Sequence, residues 1–466
     1  MNGEKTAHVI VAGAGIAGLA AACHLRKAGL RVTVLEKENR VGGRMSSDRV
    51  NGMVIDRGAQ FLSTAYSVLP GLARELGLSE WVMTSPYVAV SHKRRLRQLQ
   101  SGRPLSPVSS GLLDLLSWLR LGYHLWRMKR GIARLSLTDY GDWHGFDDED
   151  ARSWSLRRFG KRTTDDLLEP MQHGLYFQGL SGNSRALLLA VMAFGFRKPV
   201  TATVPGGMGG IPEALARVVP VTLNCAVNAV RVNDNRVLVV TDKAQLEGDY
   251  VILATTASVA ACLYSDADTT ERALMATPYN ATINIAIATV PNYRVPAGLA
   301  NLYGILFTKA DSGRLAAIAI ERNKSPDRVA RGELFDVMLD NDATGEAMPL
   351  SDDIILARVM PELEAYFPGL SRRVAWAQVM RWPEATPRSP VGRSRALHQY
   401  WHENHRERKV YLAGDYMGFP WTDSAAATGI WAANQIMRND YPYQFSDVSS
   451  AKFSTVSFLP SRSHQS

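Results

Sequence analysis

Three glycines, Gly13, Gly15 and Gly18, break the apolar first half of HVIVAGAGIAGLAAACHLRKAGLRVTVLEKENRVGGR, and a lone acid, Glu36, closes its second apolar run. These residue types at this spacing suit a dinucleotide. Gly13 makes a tight turn, Gly15 lets the backbone approach a pyrophosphate, and Gly18 allows a helix to pack closely on a strand. The Glu36 carboxylate accepts from both hydroxyls of an adenosine ribose and disfavours a 2′-phosphate there. The flanking residues supply the context the motif needs. Val9–Ala12 reads as a buried parallel strand, Ile16–Ala28 as a helix capped by Gly29, and Arg31–Leu35 as the next strand, together a βαβ unit. Free N–H groups at Ile16 and Ala17, with the positive end of the helix dipole, are expected to face the phosphates.

The residues after Glu36 decide which dinucleotide this is. Lys37 adjoins the ribose position and is counted with it. Gly42, Gly43 and Arg44 lie just past the second strand, where a glycine pair passes close to a long cofactor and an arginine neutralises pyrophosphate charge. Far along the chain, AGDYMGFPWTDSAAATG places Gly414 and Asp415 at a strand end and starts a helix near Asp423, with Thr422, Ser424 and Ala425 in its opening turn. A helix N-terminus aimed at an isoalloxazine ring would stabilise the negative charge of reduced flavin. A nicotinamide cofactor needs no such second clasp, so the expected cofactor is FAD.

These pieces must be gathered from across 466 residues, which is long for one core. The expected class is α/β. An interrupted Rossmann-type FAD-binding domain takes residues 1–80, 203–262 and 405–442. A mixed sheet-plus-helix substrate domain takes 81–202 and 263–404, and the serine-rich stretch 443–466 reads as a flexible tail. Helical spacing dominates from about Trp81 to Val200, notably at Leu112–Leu135 and Asp147–Gly160. Strand-like runs recur at Val221–Thr241, Asp249–Ala254, Ala281–Val290, Leu302–Phe307, Leu315–Ile320, Ala375–Arg381 and Lys409–Tyr416.

Hydrophobic content of 46% and charge of 21% are ordinary for a globular protein. The net charge of +9 comes with no nucleic-acid signature. Part of it is local, at Ser91–Arg103 and Arg127–Arg134, and the first run reads as a solvated face. Cys23, Cys225 and Cys262 form no CxxC, so neither a metal site nor a disulfide framework is expected, and a reducing, cytoplasmic location fits. The opening apolar run reads as fold rather than as a signal peptide, and no run is long enough to span a bilayer.

Glu36 with Gly42-Gly43-Arg44, the run VPGGMGGIPEALA (Val204–Ala216), and Gly414-Asp415 with Gly429 together resemble the flavin-containing amine oxidoreductase superfamily. That superfamily includes monoamine oxidases, protoporphyrinogen oxidases and carotenoid-type desaturases. RRFGKRTTDDLLEPMQHGLYFQ (Arg157–Gln178) and RWPEATPRSPVG (Arg381–Gly392) most resemble its bacterial protoporphyrinogen oxidase-like branch. The resemblance implies that branch's fold and noncovalent FAD, since the cysteine of covalent flavoproteins would fall near Val391. It implies flavin contacts along Gly58, Ala59 and Gln60 with Phe61, a loop of Gly206, Gly207 and Met208 before a second flavin-binding helix, and backbone contact to adenine from Val227. It also implies hydride transfer from a substrate C–H to the flavin, with oxygen or a quinone as acceptor.

Departures from the family fall where substrate would sit. Thr386-Pro387-Arg388-Ser389 stands where the family usually has Met-Pro-Gln-Tyr. Asn284 stands where monoamine oxidases keep a lysine near the flavin. Trp421 matches one wall of the amine oxidases' aromatic cage, while the second wall falls near Gly392. His173, with a reference pKa of ~6.5, is a proton acceptor or a structural histidine. Tyr176 and Phe177 either line a pocket or pack. The expected substrate is a hydrophobic, ring-containing small molecule, and a biosynthetic tailoring role fits the altered positions. The alternatives are a true amine oxidase making imine and hydrogen peroxide, and a non-catalytic flavoprotein. The tryptophan-bearing basic segment at Trp118, Trp126, Arg127, Lys129 and Arg130 reads either as a peripheral membrane contact or as a packed amphipathic helix. Oligomeric state is left open.

Overall fold

Strand β1 (His8–Ala12) is buried throughout, and helix α1 (Ile16–Lys27) follows it after the glycine turn. Strand β2 (Arg31–Leu35) runs parallel to β1, with Val9 beside Val32 and Ala12 beside Leu35. A hairpin of β3 (Tyr87–His92) and β4 (Arg95–Gln100) comes next, then helices α2 (Leu115–Ile132), α3 (Glu169–Tyr176) and α4 (Arg185–Phe196). Strands β5 (Val221–Thr222) and β6 (Tyr250–Leu253) return to the neighbourhood of β1. After them come β7 (Tyr279–Thr289), β8 (Leu302–Phe307), β9 (Leu315–Ile320), β10 (Leu334–Leu339) and β11 (Val374–Pro387). Strand β12 (Val410–Leu412) and helix α5 (Thr422–Asp440) end the fold. This computed structural model describes residues 6–78, 80–233, 235–403 and 408–440, so the expected tail at 443–466 lies outside the described residues.

Two sheets organise the molecule. The first is parallel, in the order β5-β2-β1-β6-β12. Its strands are short and apolar on both faces because helices cover it, as parallel sheets require. Val9, Val11, Val34 and Ile252 share a core with the small side chains of α1 and with Ala426, Ala433 and Ile436 of α5. The second sheet has seven strands in the order β11-β7-β10-β9-β8-β3-β4, antiparallel except for the β8–β3 pair. Alternation divides its faces. Ile283, Ile285 and Ile287 with Phe335, Val337 and Leu339 pack under the helix Asp352–Glu364. The alternate residues point to the opposite side: Asn284 beside Met338, and Met338 beside Ala317.

Several elements depart from the expectation. The stretch after Trp81 opens as the β3–β4 hairpin rather than as helix, and Lys93 and Arg94 form its tight turn with φ of 52° and 57°. The basic cluster in Ser91–Arg103 hid an alternating strand pair. Strand β10 has only one polar position, Asp336, and all six of its residues are buried. Strand β11 runs on to Pro387 because it follows β7 through a register shift near Asn280. Cys23 is buried in the first core, while Cys262 is exposed. Among the described residues there is no metal-type cluster, and no helix is long and apolar enough to cross a membrane.

Candidate flavin site

The opening motif builds a cradle. Gly13 sits at φ 105°, and a side chain there would lie 2.6 Å from the Ala254 carbonyl, so the turn admits only glycine. A methyl group added at Gly15 would meet no atom within 4 Å, so backbone at the start of α1 faces open space. Ile16 and Ala17, its first two helical residues, are themselves buried. The Gly42 loop closes the other side: Gly15 and Gly42 form a parallel bridge, and the Gly42 N–H donates to the Ala14 carbonyl at 2.8 Å. Gly43 is exposed, with the Gly15 Cα as the nearest neighbour to a side chain placed there. Bare backbone on two sides and a helix N-terminus below fit a pyrophosphate.

Glu36 follows β2 directly and is buried. One carboxylate oxygen accepts from the Ala14 N–H at 2.8 Å and the other from the Glu38 N–H at 3.0 Å. Each oxygen keeps a lone pair free for a ribose hydroxyl. Lys37 is exposed and lies 3.7 Å from Glu38, away from the Glu36 carboxylate's own bonds. Val227 begins the separate strand Val227–Asn233 and is half-buried there. Together with the cradle, this donor and acceptor set fits an adenine dinucleotide.

At the far end the structure gives Arg44 partners within the protein. The Arg44 guanidinium makes paired bonds to Asp415 at 2.7 and 2.9 Å and a third to the Ala385 carbonyl at 2.9 Å. Burial opposes that charge, but Asp415 more than offsets it and holds Arg44 protonated. Asp415 compensates its charge, and the pair clasps the Gly42–Arg44 loop to the Gly414–Asp415 turn. Gly414 adopts φ 135° and exchanges hydrogen bonds with the Thr428 hydroxyl on α5. In the first turn of α5, the Ser424 hydroxyl is spent within the protein: it donates to the Thr138 carbonyl and accepts from the Phe419 N–H, each at 2.8 Å. The Ala425 N–H donates to the Trp421 carbonyl. Of the expected contacts there, Thr422 keeps its position at the helix mouth. Asp423 instead caps the helix Leu69–Glu75, accepting from the Ser67, Val68 and Leu69 N–H groups.

The segment Arg57–Phe61 carries the expected Gly58, Ala59 and Gln60. The Ala59 N–H donates to the Arg44 carbonyl at 2.8 Å, which ties this segment to the clasp. Gln60 leads into a buried ionic network that nothing in the sequence reading singled out. Its Oε1 accepts from Lys324 Nζ at 2.7 Å, and its Nε2 donates to Asp336. Lys324 also pairs with Asp56 at 2.8 Å and with Glu321 at 3.2 Å, and Arg328 pairs with Asp56 at 2.8 Å. Burial alone would raise the Asp56 carboxyl, but the Lys324 and Arg328 charges bring it down to about 2. Burial, reinforced by the Glu321 carboxylate, pushes Asp336 well above the usual carboxylate range. The visible signal was ERNKSPDR (Glu321–Arg328), a charged run set between two apolar strands.

The substrate-side candidates separate. His173 is almost fully buried, with Nδ1 3.0 Å from the Phe307 carbonyl and Nε2 2.7 Å from the Asp340 carboxylate. Both ring nitrogens are held by the protein, so the structure favours the structural role over proton transfer. Tyr176 is buried, and burial raises its hydroxyl above the usual range, with Tyr66 and Tyr140 nearby. Its carbonyl accepts from Asn280 at 2.9 Å and from Thr386 at 3.3 Å, so the departing Thr386 braces α3 against β7 and β11. Phe177 ends α3 in the left-handed conformation, φ 63°. Asn284 donates to the Arg57 carbonyl at 3.3 Å, and its side-chain oxygen is buried without a partner. Trp421 stacks on Phe419 with centroids 4.3 Å apart and meets Phe194 at 5.9 Å, while its N–H donates to the Leu137 carbonyl. Gly392, where a second cage wall would fall, instead starts a helix with its N–H on Asp147. Phe194 was not legible as a neighbour of Trp421, because it lies far from it in sequence and within an otherwise uniform apolar run.

The family model described as "Flavin containing amine oxidoreductase" matches residues 16–437. The chain is 30% identical over 172 residues to protoporphyrinogen oxidase 2, chloroplastic/mitochondrial, of Arabidopsis thaliana; the match covers 36% of this chain and 32% of that protein. It thus spans about a third of that relative. It is 24% identical over 464 residues to coproporphyrinogen III oxidase of Propionibacterium freudenreichii, covering 83% of this chain and 82% of the relative. The solved structure of cyclohexylamine oxidase from Brevibacterium oxydans superposes with a TM-score of 0.72 at 16% identity, over 93% of this chain and 99% of that one. Cradle, clasp and family match agree: this chain belongs to the flavin-containing amine oxidoreductases.

Proposed function

We propose that this enzyme dehydrogenates a hydrophobic, ring-containing small molecule at a C–N or C–C bond, with oxygen as the electron acceptor. The observation that carries this reading is the sheet face beside Arg57–Phe61. Phe61, Phe177, Tyr303, Leu306 and Met338 gather there over the small side chains of Ala317 and Ala319. Flat apolar surface of this kind holds a ring through contact area. Asn284 lies on the same face and offers neither a permanent charge nor a general base. FAD, when bound, supplies the redox chemistry, taking hydride from a substrate C–H bond. The chain's own residues position and exclude water. Gly15 and the α1 N-terminus would hold the pyrophosphate and Glu36 the ribose, while the Arg44–Asp415 clasp closes the loops around them. Trp421, fixed by Phe419 and Phe194, gives the site a rigid aromatic wall. One relative is named for a porphyrinogen and one structural neighbour for cyclohexylamine, both ring compounds, which supports the class. Noncovalent FAD is supported by Val391 at the position of the linking cysteine, with Cys23 and Cys225 buried elsewhere.

A second reading, a true amine oxidase yielding imine and hydrogen peroxide, is favoured by the aromatic pair Trp421 and Phe194. Anaerobic mixing of the purified flavoprotein with two panels separates the readings. Reduced cyclic tetrapyrroles or polyenes should bleach the flavin band, and simple acyclic amines should not. Bleaching by amines alone would establish the second reading, and bleaching by neither would overturn both. Acid precipitation of the same preparation should leave the flavin in the supernatant; flavin in the pellet would overturn noncovalent binding.

A further inference from the structure

Arg393 opens the helix Arg393–His398 and is only 6% exposed. Its guanidinium holds the turn that joins β12 to α5. One terminal nitrogen donates to the Asp415, Tyr416 and Gly418 carbonyls at 3.2, 2.7 and 2.7 Å. The other donates to the Ser389 hydroxyl at 2.9 Å, and the guanidinium carbon stands 5.1 Å from the centroid of the Tyr140 ring. The buried Nε has no hydrogen-bond partner. Among the described residues, every group that touches this guanidinium is neutral.

Arg44, the other arginine at this turn, is neutralised by paired bonds to Asp415. Arg393 is not. The carboxylates that face it are Asp415, already engaged by Arg44, and Asp147, whose Oδ2 accepts from the Gly392 and Arg395 N–H groups at 3.0 and 3.1 Å. Burial holds the guanidinium below its ordinary pKa, yet an arginine keeps its charge in a protein. A buried cation without an ion pair costs stability, and carbonyl dipoles offset only part of that cost. The uncompensated charge calls for an anion that the protein itself does not supply.

The turn beneath Arg393 closes the cofactor site. Gly414–Asp415 carries the clasp to Arg44, and Gly418 leads through Phe419 to Trp421 and the mouth of α5. The ring system of oxidised flavin is neutral. A hydride brings it two electrons and one proton, so the reduced ring gains one negative charge, whichever substrate gives the hydride. We propose that Arg393 is the fixed cation that stabilises this charge, adding to the positive end of α5 and raising the reduction potential of the bound flavin. Its bonds are to the turn, so it is a positioning residue that sets the field around the ring. The three carbonyl bonds hold that field in place before the hydride arrives.

Spectroscopic redox titration of the FAD-loaded protein against a dye of known potential tests this. Arg393→Gln should shift the equilibrium about tenfold or more toward oxidised flavin, a fall of about 30 mV for a two-electron couple. Arg393→Lys keeps the charge with fewer bonds and should stay near the wild type. Sulfite adds to oxidised flavin and leaves the same negative charge on the ring, so it should bind Arg393→Gln about tenfold more weakly. A merely structural role would lower Tm or flavin content in both variants without separating their potentials. Equal potentials in wild type and Arg393→Gln would overturn the proposal. Equal falls in both variants would assign the effect to the carbonyl bonds and overturn the role of the charge. If Arg393→Gln loses its flavin, Asp147→Asn carries the test. It keeps an acceptor for Gly392 and Arg395 but removes a carboxylate facing Arg393, so the potential should rise, and an unchanged potential would overturn the proposal.

Discussion

Glu36 concentrates the cofactor question into one carboxylate. It already accepts the Ala14 and Glu38 N–H groups, which fix its orientation before any ligand arrives. Two ribose hydroxyls would then meet a preformed acceptor pair. Hydrogen bonds to a charged group contribute about 1.5–3 kcal/mol each. Glu36→Ala should therefore raise the Kd for FAD by about tenfold or more, read by titrating apoprotein and following flavin fluorescence. Glu36→Gln, which keeps one acceptor, should fall between. An unchanged Kd in Glu36→Ala would remove this residue from the ribose. Arg44 shows how far such reading from residue types goes. A guanidinium after a glycine pair suggests phosphate, and the sequence cannot display that Asp415, far along the chain, accepts from its two terminal nitrogens. His173 carries the same lesson. Its chemistry was visible, but Phe307 and Asp340, which hold its two nitrogens, were not.

Between elements, the contact that matters most for the site is α1 against α5. A side chain at Gly429 would collide with the Ala17 carbonyl, so the two helices touch backbone to backbone. Both helices start at the candidate flavin site, and parting them moves both mouths at once. Overpacking of this kind costs about 1–3 kcal/mol. Gly429→Ala should lower Tm by several degrees and reduce the flavin-to-protein absorbance ratio. Gly298→Ala, where a methyl group meets nothing, should change neither. Equal behaviour of the two variants would refute this account of the helix contact. The opening βαβ unit and the α5 start were legible because periodicity and turn residues agree there. The β3–β4 hairpin was not, since charged residues at its turn blurred the alternation. Strand β10 escaped because a nearly continuous apolar run gives no period to read. The apolar sheet face that carries the functional proposal was illegible for a related reason: alternation shows that two faces exist, and only strand order shows that Asn284, Met338 and Ala317 share a row.

Across the whole molecule, the buried network ties the loops of the parallel sheet to the seven-stranded one. Asp56 accepts from the Met208 N–H and the Ser47 hydroxyl while pairing with Lys324 and Arg328, and Gln60 links Lys324 to Asp336 on β10. Such a network makes stability depend on pH in two opposite senses. Asp56 has its folded pKa lowered from 3.8 to about 2. Its contribution is complete above the unfolded value and is lost as pH falls through the folded one, about 2 kcal/mol in all. Asp336 has a raised folded pKa, so it favours the folded state in acid and costs stability as pH rises past the unfolded value. Asp56→Asn should be destabilised by about 3–5 kcal/mol at neutral pH, because Lys324 and Arg328 stay buried without their partner. It should also lack the wild type's extra loss of stability between pH 4 and 2. Asp336→Asn should do the reverse, gaining stability relative to wild type as pH is raised from acid to neutral. Denaturant unfolding of the three proteins across pH measures both slopes. Parallel curves for wild type and Asp56→Asn would show that the Lys324–Asp56–Arg328 cluster does not set the acid limit, and parallel curves for Asp336→Asn would show that its carboxyl is not held protonated by the fold.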